Sequence, residues 1–198
     1  MVRKHLFVIV LAAGAATRFR ATKQLADYAG EPLVCRAVHL AEAVSAQRSV
    51  LVTGSDWRRV HDACAPLKGF FVRNEAFESG MGGSIACGVR AVAGTADAVL
   101  LLLADQPLIT APYLQQMIVA WNESDTTIVC SKFAGVVGPP VIFPARYFDE
   151  LACLDGDKGA RVLIDTHHEQ VLALPCEAAA TDIDTRDDLI ESQSRSSK

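Results

Sequence analysis

The chain has 198 residues, of which 51% are hydrophobic and 21% charged, and its formal net charge is −4. This length and composition suit one globular domain whose core needs neither disulfides nor metals to hold it together. A small negative charge without a long basic run argues against nucleic acid, or an anionic membrane surface, as the main partner.

Short, nearly uninterrupted apolar runs predict the strands of a sheet that is covered on both faces. These runs are residues 6–11, 49–53, 70–73, 98–103 and 127–130. Helical patterns alternate with them at residues 33–46, 55–65, 84–93 and 111–122. Ser55 and Thr110 are the expected N-caps of two of these helices, because their hydroxyls can accept hydrogen bonds from the first free N–H groups. The alternation predicts an α/β fold with a doubly wound, mostly parallel sheet in a three-layer α/β/α arrangement.

The last third of the chain has a less regular pattern. Residues 135–143 predict a turn-rich extended segment, and helices are expected at 144–154 and 157–168, a strand at 170–174 and a final helix opening within 182–191. No linker or internal repeat separates these parts. We therefore expect a single domain over residues 1–192, followed by a disordered tail at 193–198.

The N-terminus and the cysteines indicate in which cellular compartment the protein is expected. The first apolar stretch continues directly into Thr17 and Arg18, which favours a buried strand over a signal peptide. No apolar run reaches ~18 residues, so no membrane span is expected. The six cysteines are scattered without a CxxC pair, which is typical of small hydrophobic residues in a reduced, cytoplasmic protein rather than of disulfides or zinc ligands.

The segment LAAGAATRFRATKQL, residues 11–25, follows the first predicted strand and combines small residues with cations. Small residues let backbone N–H groups approach an anion, and Arg18, Arg20 and Lys23 can add positive charge. Phosphate suits such a loop, although Gly14 is its only glycine and neither the dinucleotide-binding nor the P-loop spacing is present. The alternative is a tight strand-to-helix turn whose cations are solvated.

Aspartates stand at two further places where chemistry is expected. Asp105 follows the apolar strand AVLLLL, and a carboxylate at the carboxyl end of a central strand can hold Mg²⁺ together with phosphate oxygens and water. The alternative for Asp105 is a turn aspartate before Gln106. Asp182 and Asp184 precede the final helix and would share one face of a strand, which suits a metal site. Asp184 can instead be the N-cap of that helix.

Two glycine-containing segments complete the set of candidate motifs. NEAFESGMGGSIACG, residues 74–88, can wrap a ligand to which Ser84 hydrogen-bonds, or it can be a mobile connection. DGDKGAR, residues 155–161, lies in a stretch that lacks the side chains of a calcium loop, so we expect it to cap a helix and project Arg161.

Taken in order, these motifs resemble one enzyme family. LAAG with its following arginine, KQL, NxxFxSGMxxS, LLADQP, GPPVIF with GDKGAR, and DIDTRDDL resemble the molybdenum cofactor cytidylyltransferases. That family lies within a wider group of nucleotidyltransferases that includes the cofactor guanylyltransferases. The resemblance runs from residue 7 to about residue 190, and the GPP and GDKGAR pair narrows it to this family. The first loop departs from the family pattern, because Ala16 and Phe19-Arg20 stand where a glycine and a Met-Gly pair are usual.

The resemblance implies a Rossmann-like nucleotidyltransferase fold and a role for each matching position. Arg18 and Lys23 would contact the triphosphate, and Asp105 would be the principal Mg²⁺ ligand. Asp182 or Asp184 would be the second ligand. The implied nucleotide-binding residues are Leu11, Ala12, Ala13, Gly14, Asn74, Ser79, Gly80 and Ser84.

The implied reaction moves CMP from CTP to the terminal phosphate of molybdopterin or its molybdenum-bearing form and releases pyrophosphate. The implied partners are CTP, a phosphorylated acceptor and a molybdoenzyme or its maturation chaperone. CTP is favoured over GTP because the guanylyltransferases carry LAGG where Ala13 gives LAAG here. The alternatives are cytidylyl transfer to another phosphorylated metabolite, guanylyl transfer to the same cofactor, and a non-catalytic module that delivers the cofactor.

Overall fold

The computed structural model describes residues 4–14, 19, 21–45, 47–65 and 67–196. Arg18, an expected triphosphate contact, lies outside these residues. So do Ala16 and Arg20 of the same loop. In chain order the strands are β1 (Leu6–Ala12), β2 (Asp27–Tyr28), β3 (Glu31–Pro32), β4 (Ser49–Thr53), β5 (Phe70–Arg73), β6 (Ala98–Leu103), β7 (Ile128–Phe133), β8 (Val136–Pro144) and β9 (Val171–Pro175). The helices are α1 (Leu33–Ser45), α2 (Trp57–Ala63), α3 (Met81–Val92), α4 (Ala111–Glu123), α5 (Phe148–Ala152), α6 (Arg161–Thr166) and α7 (Arg186–Ser196).

Seven strands form the central sheet, in the order β5-β4-β1-β6-β8-β7-β9, and β2 and β3 form a separate hairpin. β5, β4, β1 and β6 run parallel. β8 is antiparallel to β6 and β7, while β9 is parallel to β7. The predicted doubly wound, mostly parallel sheet is confirmed. Its winding reverses between β1 and β6, and open α/β sheets bind ligands at the carboxyl ends of the strands beside such a point.

Side chains of β1 alternate between two cores, one on each face of the sheet. Val8 and Val10 pack in the core that also contains residues of α1, α2 and α4. Ile9 and Leu11 pack in the core that contains residues of α3, α5 and α6. Because both faces are covered, the central strands are apolar at nearly every position, and the fold has the expected three layers.

The extended segment expected at 135–143 is strand β8. Its turn-forming residues fit a strand because the pairing with β7 shifts register between Cys130 and Ser131. Pro139 and Pro140 lie at this irregularity, where no N–H donor is required for the ladder. The Ser131 hydroxyl donates to the Pro140 carbonyl at 2.9 Å, so the shifted register is tied across the two strands.

Four helices begin at residues other than those expected, and two of them, α5 and α6, begin four residues late, at Phe148 and Arg161. The residue before α2 is Asp56, in the left-handed region with a φ of 52°, so Ser55 is not the N-cap. Thr110 does directly precede α4. α3 starts at Met81, three residues before the expected start at 84, so part of the predicted 74–88 connection is helical.

The early start of α3 is stabilised by its contact with the DGDKGAR segment. The Gly82 N–H donates to the Gly156 carbonyl at 2.9 Å. A Cβ on Gly82 would lie 2.8 Å from both the N and the O of Asp155, so only glycine lets the two backbones approach this closely. Residues 155–157 therefore lie directly against the first turn of α3.

Helix α7 has a capping arrangement built from Thr185 and Asp188. The Asp188 N–H donates to the Thr185 hydroxyl at 3.2 Å, and the Thr185 N–H donates to the Asp188 carboxylate at 2.7 Å. This is a reciprocal capping box, so the cap is Thr185 and not Asp184. The helix continues to Ser196, and the Gln193 amide donates to the Asp27 carbonyl at 3.0 Å within the segment expected to be a disordered tail.

None of the helices in the described part of the chain combines the length and the apolar character needed to cross a bilayer.

Candidate functional site

A cavity of about 430 Å³ opens at the carboxyl ends of β1 and β6. Nine of the expected site residues line it, namely Leu11, Ala12, Ala13, Gly14, Lys23, Gly80, Ser84, Asp105 and Asp184. Asn74, Ser79 and Asp182 are not among its lining residues. The remaining lining residues were not expected from the sequence: Gln24, Leu33, Phe77, Glu78, Met81, Leu103, Ala104 and Asp157.

A larger and more open depression of about 810 Å³ adjoins this cavity and shares Gln24 with it. It is lined mainly by residues of the 19–27 segment, α2 and α7, including Arg59 and Arg186. The smaller cavity is the better candidate site, because a lysine and two carboxylates meet in it at the switch point of the sheet.

The loop after β1 is fixed through its carbonyl groups. The buried Gln24 amide donates to the Gly14 carbonyl at 2.6 Å, and the Ser55 N–H donates to the Ala13 carbonyl at 3.2 Å. The Ala104 N–H donates to the Leu11 carbonyl at 3.2 Å. With these carbonyls engaged, the loop holds a defined shape at the cavity wall.

Lys23 joins two of the four carboxylates that line the cavity. Its Nζ lies 2.7 Å from Asp105 Oδ2 and 3.0 Å from Asp184 Oδ1, and its side chain is only 13% exposed. Burial by itself would lower the pKa of Lys23, but the charges and hydrogen bonds of Asp105 and Asp184 raise it above its ordinary value. Lys23 is therefore protonated, and both carboxylates share its positive charge.

Asp182 lies beside this group without lining the cavity. The Ile183 N–H donates to the Asp105 carbonyl at 2.9 Å, which ties the end of β6 to the 182–184 segment. Desolvation of its carboxyl, followed by the negative charge of Asp105, raises the pKa of Asp182 to about 6, and Gln106 and Lys23 offset part of this rise. Of the two aspartates expected near a metal, Asp184 is the one that lies with Asp105 in the cavity wall.

We expect Asp182→Asn to change the pH dependence of stability in the metal-free protein. An unfolded Asp182 ionises near its ordinary pKa of 3.8, whereas the folded chain retains the proton up to about pH 6. Between these values the folded state binds more protons, so ionisation of Asp182 makes the free energy of unfolding fall as pH rises. The variant removes this fall, so its stability relative to the unaltered protein should be constant below pH ~4 and should rise to a plateau above pH ~6.

Urea unfolding with a chelator between pH 4 and 8 measures this difference. The control is Asp165→Asn, on the exposed face of α6, which makes the same chemical change away from the cavity. A flat profile for Asp182→Asn would contradict the raised pKa.

Asn74 and Ser79 support the cavity from behind rather than line it. The buried Asn74 donates from Nδ2 to Ser84 Oγ at 3.0 Å, and its Oδ1 accepts from the Ala76 N–H at 3.1 Å. The Ser79 hydroxyl donates to the Ala76 carbonyl at 2.8 Å. Together these bonds connect the end of β5 to the first turns of α3, and they orient the Ser84 hydroxyl that faces the cavity.

A divalent cation is compatible with this donor set. Within the described ranges no three His, Cys, Asp or Glu side chains form a metal-holding group. Mg²⁺ needs no such cage, because it is held by one or two carboxylates together with substrate phosphates and water. Asp105 and Asp184 are two such carboxylates, and the buried Asp105 Oδ1 makes no hydrogen bond to the described residues. The site therefore fits Mg²⁺ or a similar hard cation.

Comparison with known proteins gives a match to one family over most of the chain. The sequence model described as "MobA-like NTP transferase domain" matches residues 8–171. The curated protein "Bifunctional protein GlmU" of Rhodospirillum rubrum is 36% identical over 114 residues, which cover 57% of this chain and 25% of that protein. "Purine catabolism protein PucB" of Bacillus subtilis is 38% identical over 88 residues, or 44% of this chain and 42% of that protein. The chain thus spans less than half the length of both relatives.

Solved structures match the whole fold. The crystal structure of Rv0371c from Mycobacterium tuberculosis H37Rv has a TM-score of 0.83 and 28% sequence identity, and the match covers 96% of this chain and 98% of that one. A second structure of Rv0371c, in complex with manganese, has a TM-score of 0.80, with coverage of 96% and 99%. A nucleotidyl transferase from Methanothermobacter thermautotroptrophicus also has a TM-score of 0.83, with 18% sequence identity and coverage of 98% of both chains, which shows that this chain has a nucleotidyltransferase fold.

Proposed function

The chain belongs to the family of MobA-like NTP transferase domains, and from that premise we propose that it moves CMP from CTP to the terminal phosphate of molybdopterin or the molybdenum cofactor. The observation that carries this proposal is the cavity in which the LAAG loop faces Lys23, Asp105 and Asp184. A nucleotide loop, a cation and two carboxylates are the groups that phosphoryl chemistry requires.

The proposed reaction is a substitution at the α-phosphorus of CTP. A phosphate oxygen of the acceptor forms a bond to this phosphorus, the bond to the β-phosphate oxygen breaks, and pyrophosphate leaves. The protein then contributes positioning and charge neutralisation rather than a covalent intermediate. Such a role needs no nucleophilic side chain in the site.

The triphosphate would lie along the loop after β1, beside Gly14. The absence of a side chain there leaves space for a phosphate beside the backbone, and Lys23 would offset the charge that develops on the leaving pyrophosphate. Arg18, from the same loop, would be a second cationic contact.

Asp105 and Asp184 would hold a divalent cation, for which we propose Mg²⁺. When bound, the ion would neutralise charge on the phosphates and orient them. Support comes from the fit of the two carboxylates and from the relative Rv0371c, which has been crystallised with manganese. Asp182, whose pKa is raised first by burial and then by the charge of Asp105, would influence this ion through its charge.

The base would lie near the start of α3. Ser84 faces the cavity and is oriented by Asn74, so its hydroxyl and the backbone at Gly80 could hydrogen-bond cytosine or the ribose. Asp157 lines the same cavity, and its segment packs against the first turn of α3. That segment, GDKGAR, is part of the motif pair that resembles the molybdenum cofactor cytidylyltransferases. The resemblance supports a molybdopterin-type acceptor, presented afterwards to a molybdoenzyme or its maturation chaperone.

A nucleotide and acceptor screen tests this proposal. Pyrophosphate release would be followed with Mg²⁺, isolated molybdopterin and each of the four NTPs. CTP should be the preferred donor and the product should be a cytosine dinucleotide, identified by mass spectrometry. If CMP is transferred only to another phosphomonoester, that compound replaces molybdopterin as the proposed acceptor. If no pyrophosphate is released with any acceptor, the non-catalytic delivery module is favoured.

Gly14→Ala should weaken CTP binding without destabilising the protein. A methyl group on Gly14 would meet no atom of the described residues within 4 Å apart from its chain neighbours, so this part of the fold can accommodate it. The same space is where we propose that the phosphates lie, so the dissociation constant for CTP should rise by about tenfold, or ~1.4 kcal/mol.

The matched control is Gly94→Ala, whose added methyl group would likewise meet none of the described residues within 4 Å but lies outside the cavity. Isothermal titration with CTP and thermal melts of both variants make the comparison. Equal CTP affinity in the two variants would mean that the loop is only a strand-to-helix turn.

A further inference from the structure

Lys23 occupies the position between the two carboxylates that a shared cation would take. Its Nζ is 2.7 Å from Asp105 Oδ2 and 3.0 Å from Asp184 Oδ1. A Mg²⁺ ion bound to the same two oxygens would lie about 2.1 Å from each. An ammonium group and a divalent ion cannot both fit between these oxygens, and their positive charges repel each other strongly at such a separation.

Hydrogen bonds fix the backbone of Lys23, whereas its side chain can contact a second set of partners. The Ala26 N–H donates to the Lys23 carbonyl at 2.9 Å, and the Leu25 N–H donates to the Thr22 carbonyl at 2.9 Å. Gly14, where we propose that phosphates bind, lines the same cavity as the Lys23 side chain. With a four-carbon stem, the ammonium can exchange carboxylate oxygens for phosphate oxygens without a movement of the main chain.

From this arrangement we infer that Lys23 is an internal counter-ion that holds Asp105 and Asp184 in the nucleotide-free protein and suppresses cation binding until a triphosphate draws it away. The inference rests on the proposed metal and nucleotide site. It makes binding of the two ligands cooperative: the phosphates provide new partners for Lys23, and its departure opens the carboxylates to the cation. Two ligands linked through one side chain in this way each raise the affinity of the other by the same factor.

The inference predicts effects of opposite sign for one substitution. Lys23→Met removes the ammonium and keeps most of the side-chain volume. It should weaken CTP binding, because the phosphates lose a cation, and it should strengthen cation binding in the nucleotide-free protein, because the competing charge is gone. A lysine that served only as a phosphate contact would leave cation binding unchanged.

The experiment measures binding of Mn²⁺ alone to the nucleotide-free chain, using the electron paramagnetic resonance signal of the free ion. Lys23→Met should bind Mn²⁺ at least ~10-fold more tightly than the unaltered protein, within the usual range for coupled sites. Lys23→Arg keeps the charge and should stay close to the unaltered protein. Lys132→Met is the matched control, at an exposed position near the end of β7, and should show no change. A second readout is the melting temperature, which Mn²⁺ should raise more in Lys23→Met than in the unaltered protein.

Two results would overturn the inference. One is equal or weaker Mn²⁺ binding in Lys23→Met, or, if that variant does not fold, in Lys23→Gln, which keeps a hydrogen-bond donor without the charge. The other is a gain that persists when Asp105→Asn is added, since the ion would then be bound elsewhere. Pyrophosphate release by the unaltered protein is measured separately. If the unaltered protein turns over CTP but Lys23→Met has the same Mn²⁺ affinity, the counter-ion role of Lys23 is rejected and the proposed function stands.

Discussion

Asp105→Asn should lower the rate of CMP transfer by at least ~100-fold while the protein stays folded, because removal of one preorganised electrostatic contact to the transition state costs about this much. Asp105 stands at the end of β6, faces the loop after β1 and shares Lys23 with Asp184. The asparagine keeps the shape of the side chain but removes the charge that would hold the cation. Both kcat and kcat/KM should fall, since the lost interaction belongs to the transition state.

Stability should change much less than activity in this variant. Lys23 keeps Asp184 as a partner at 3.0 Å, and a loss of about 1 kcal/mol would lower the melting temperature by only ~2–4 °C in a domain of this size. The control is Asp125→Asn, which removes a surface ion pair with Lys4 whose Nζ–Oδ2 distance is 3.2 Å and should leave turnover unchanged. Near-normal turnover in Asp105→Asn would mean that Asp105 is a turn residue.

The central strands could be predicted from the sequence because their burial leaves a simple signal. β4 and β6 were expected at residues 49–53 and 98–103 and have those bounds in the structure. A strand that is covered on both faces is apolar at nearly every position. β8 gives no such signal, because Gly138, Pro139 and Pro140 interrupt it, and its pairing depends on an irregularity in β7 that no local pattern shows.

The starts of α3 and α7 depend on contacts with distant or reciprocal partners. Gly82 weakens a helix as a local propensity, yet it lies in the first turn of α3 because the backbone of Asp155 takes the space of a side chain. Thr185 and Asp188 could have been recognised as a capping box from their spacing. With Thr185 as the cap, the Asp184 carboxylate can pair with Lys23, which the alternative capping role of Asp184 would not allow.

The candidate site was foreseen where its residues follow strands and missed where the chain returns from elsewhere. The 11–14 loop and Asp105 follow β1 and β6, and parallel neighbours bring their carboxyl ends together. Asp157 and Phe77 carry no comparable signal. Asp157 reaches the cavity only because residues 155–157 pack on α3, and these two segments are ~70 residues apart in sequence. The glycines in both segments allow a close backbone contact, but they do not identify the partner segment.

Under the proposed function, CTP should exceed GTP in kcat/KM by at least ~100-fold, or about 2.7 kcal/mol of differential transition-state binding. The argument rests on Ala13, which lies in the cavity wall and is 4% exposed. The guanylyltransferases that the chain resembles have glycine at this position of the loop. A Cβ on the loop takes up space that the second ring of a purine would use, whereas a pyrimidine leaves room for it.

Hydrogen bonding adds to this steric effect. The Ser84 hydroxyl, oriented by Asn74 at 3.0 Å, would pair with the edge of cytosine, and a site whose buried polar groups are left unpaired by the wrong base discriminates by up to ~10⁴-fold. Ala13→Gly removes the steric part alone. It should therefore narrow the ratio of CTP to GTP use while the preference set by Ser84 remains.

Steady-state assays with both nucleotides and one acceptor measure the ratio. Ala12→Gly is the comparison variant, because it makes the same atomic change one residue earlier in the chain, where the side chain packs in the opposite core of the sheet. Its ratio should stay that of the unaltered protein, since added backbone flexibility alone does not create room for a purine. Equal use of CTP and GTP by the unaltered protein, or a preference for GTP, would show that Ala13 is only a turn residue. The proposed reaction would then be guanylyl transfer rather than cytidylyl transfer.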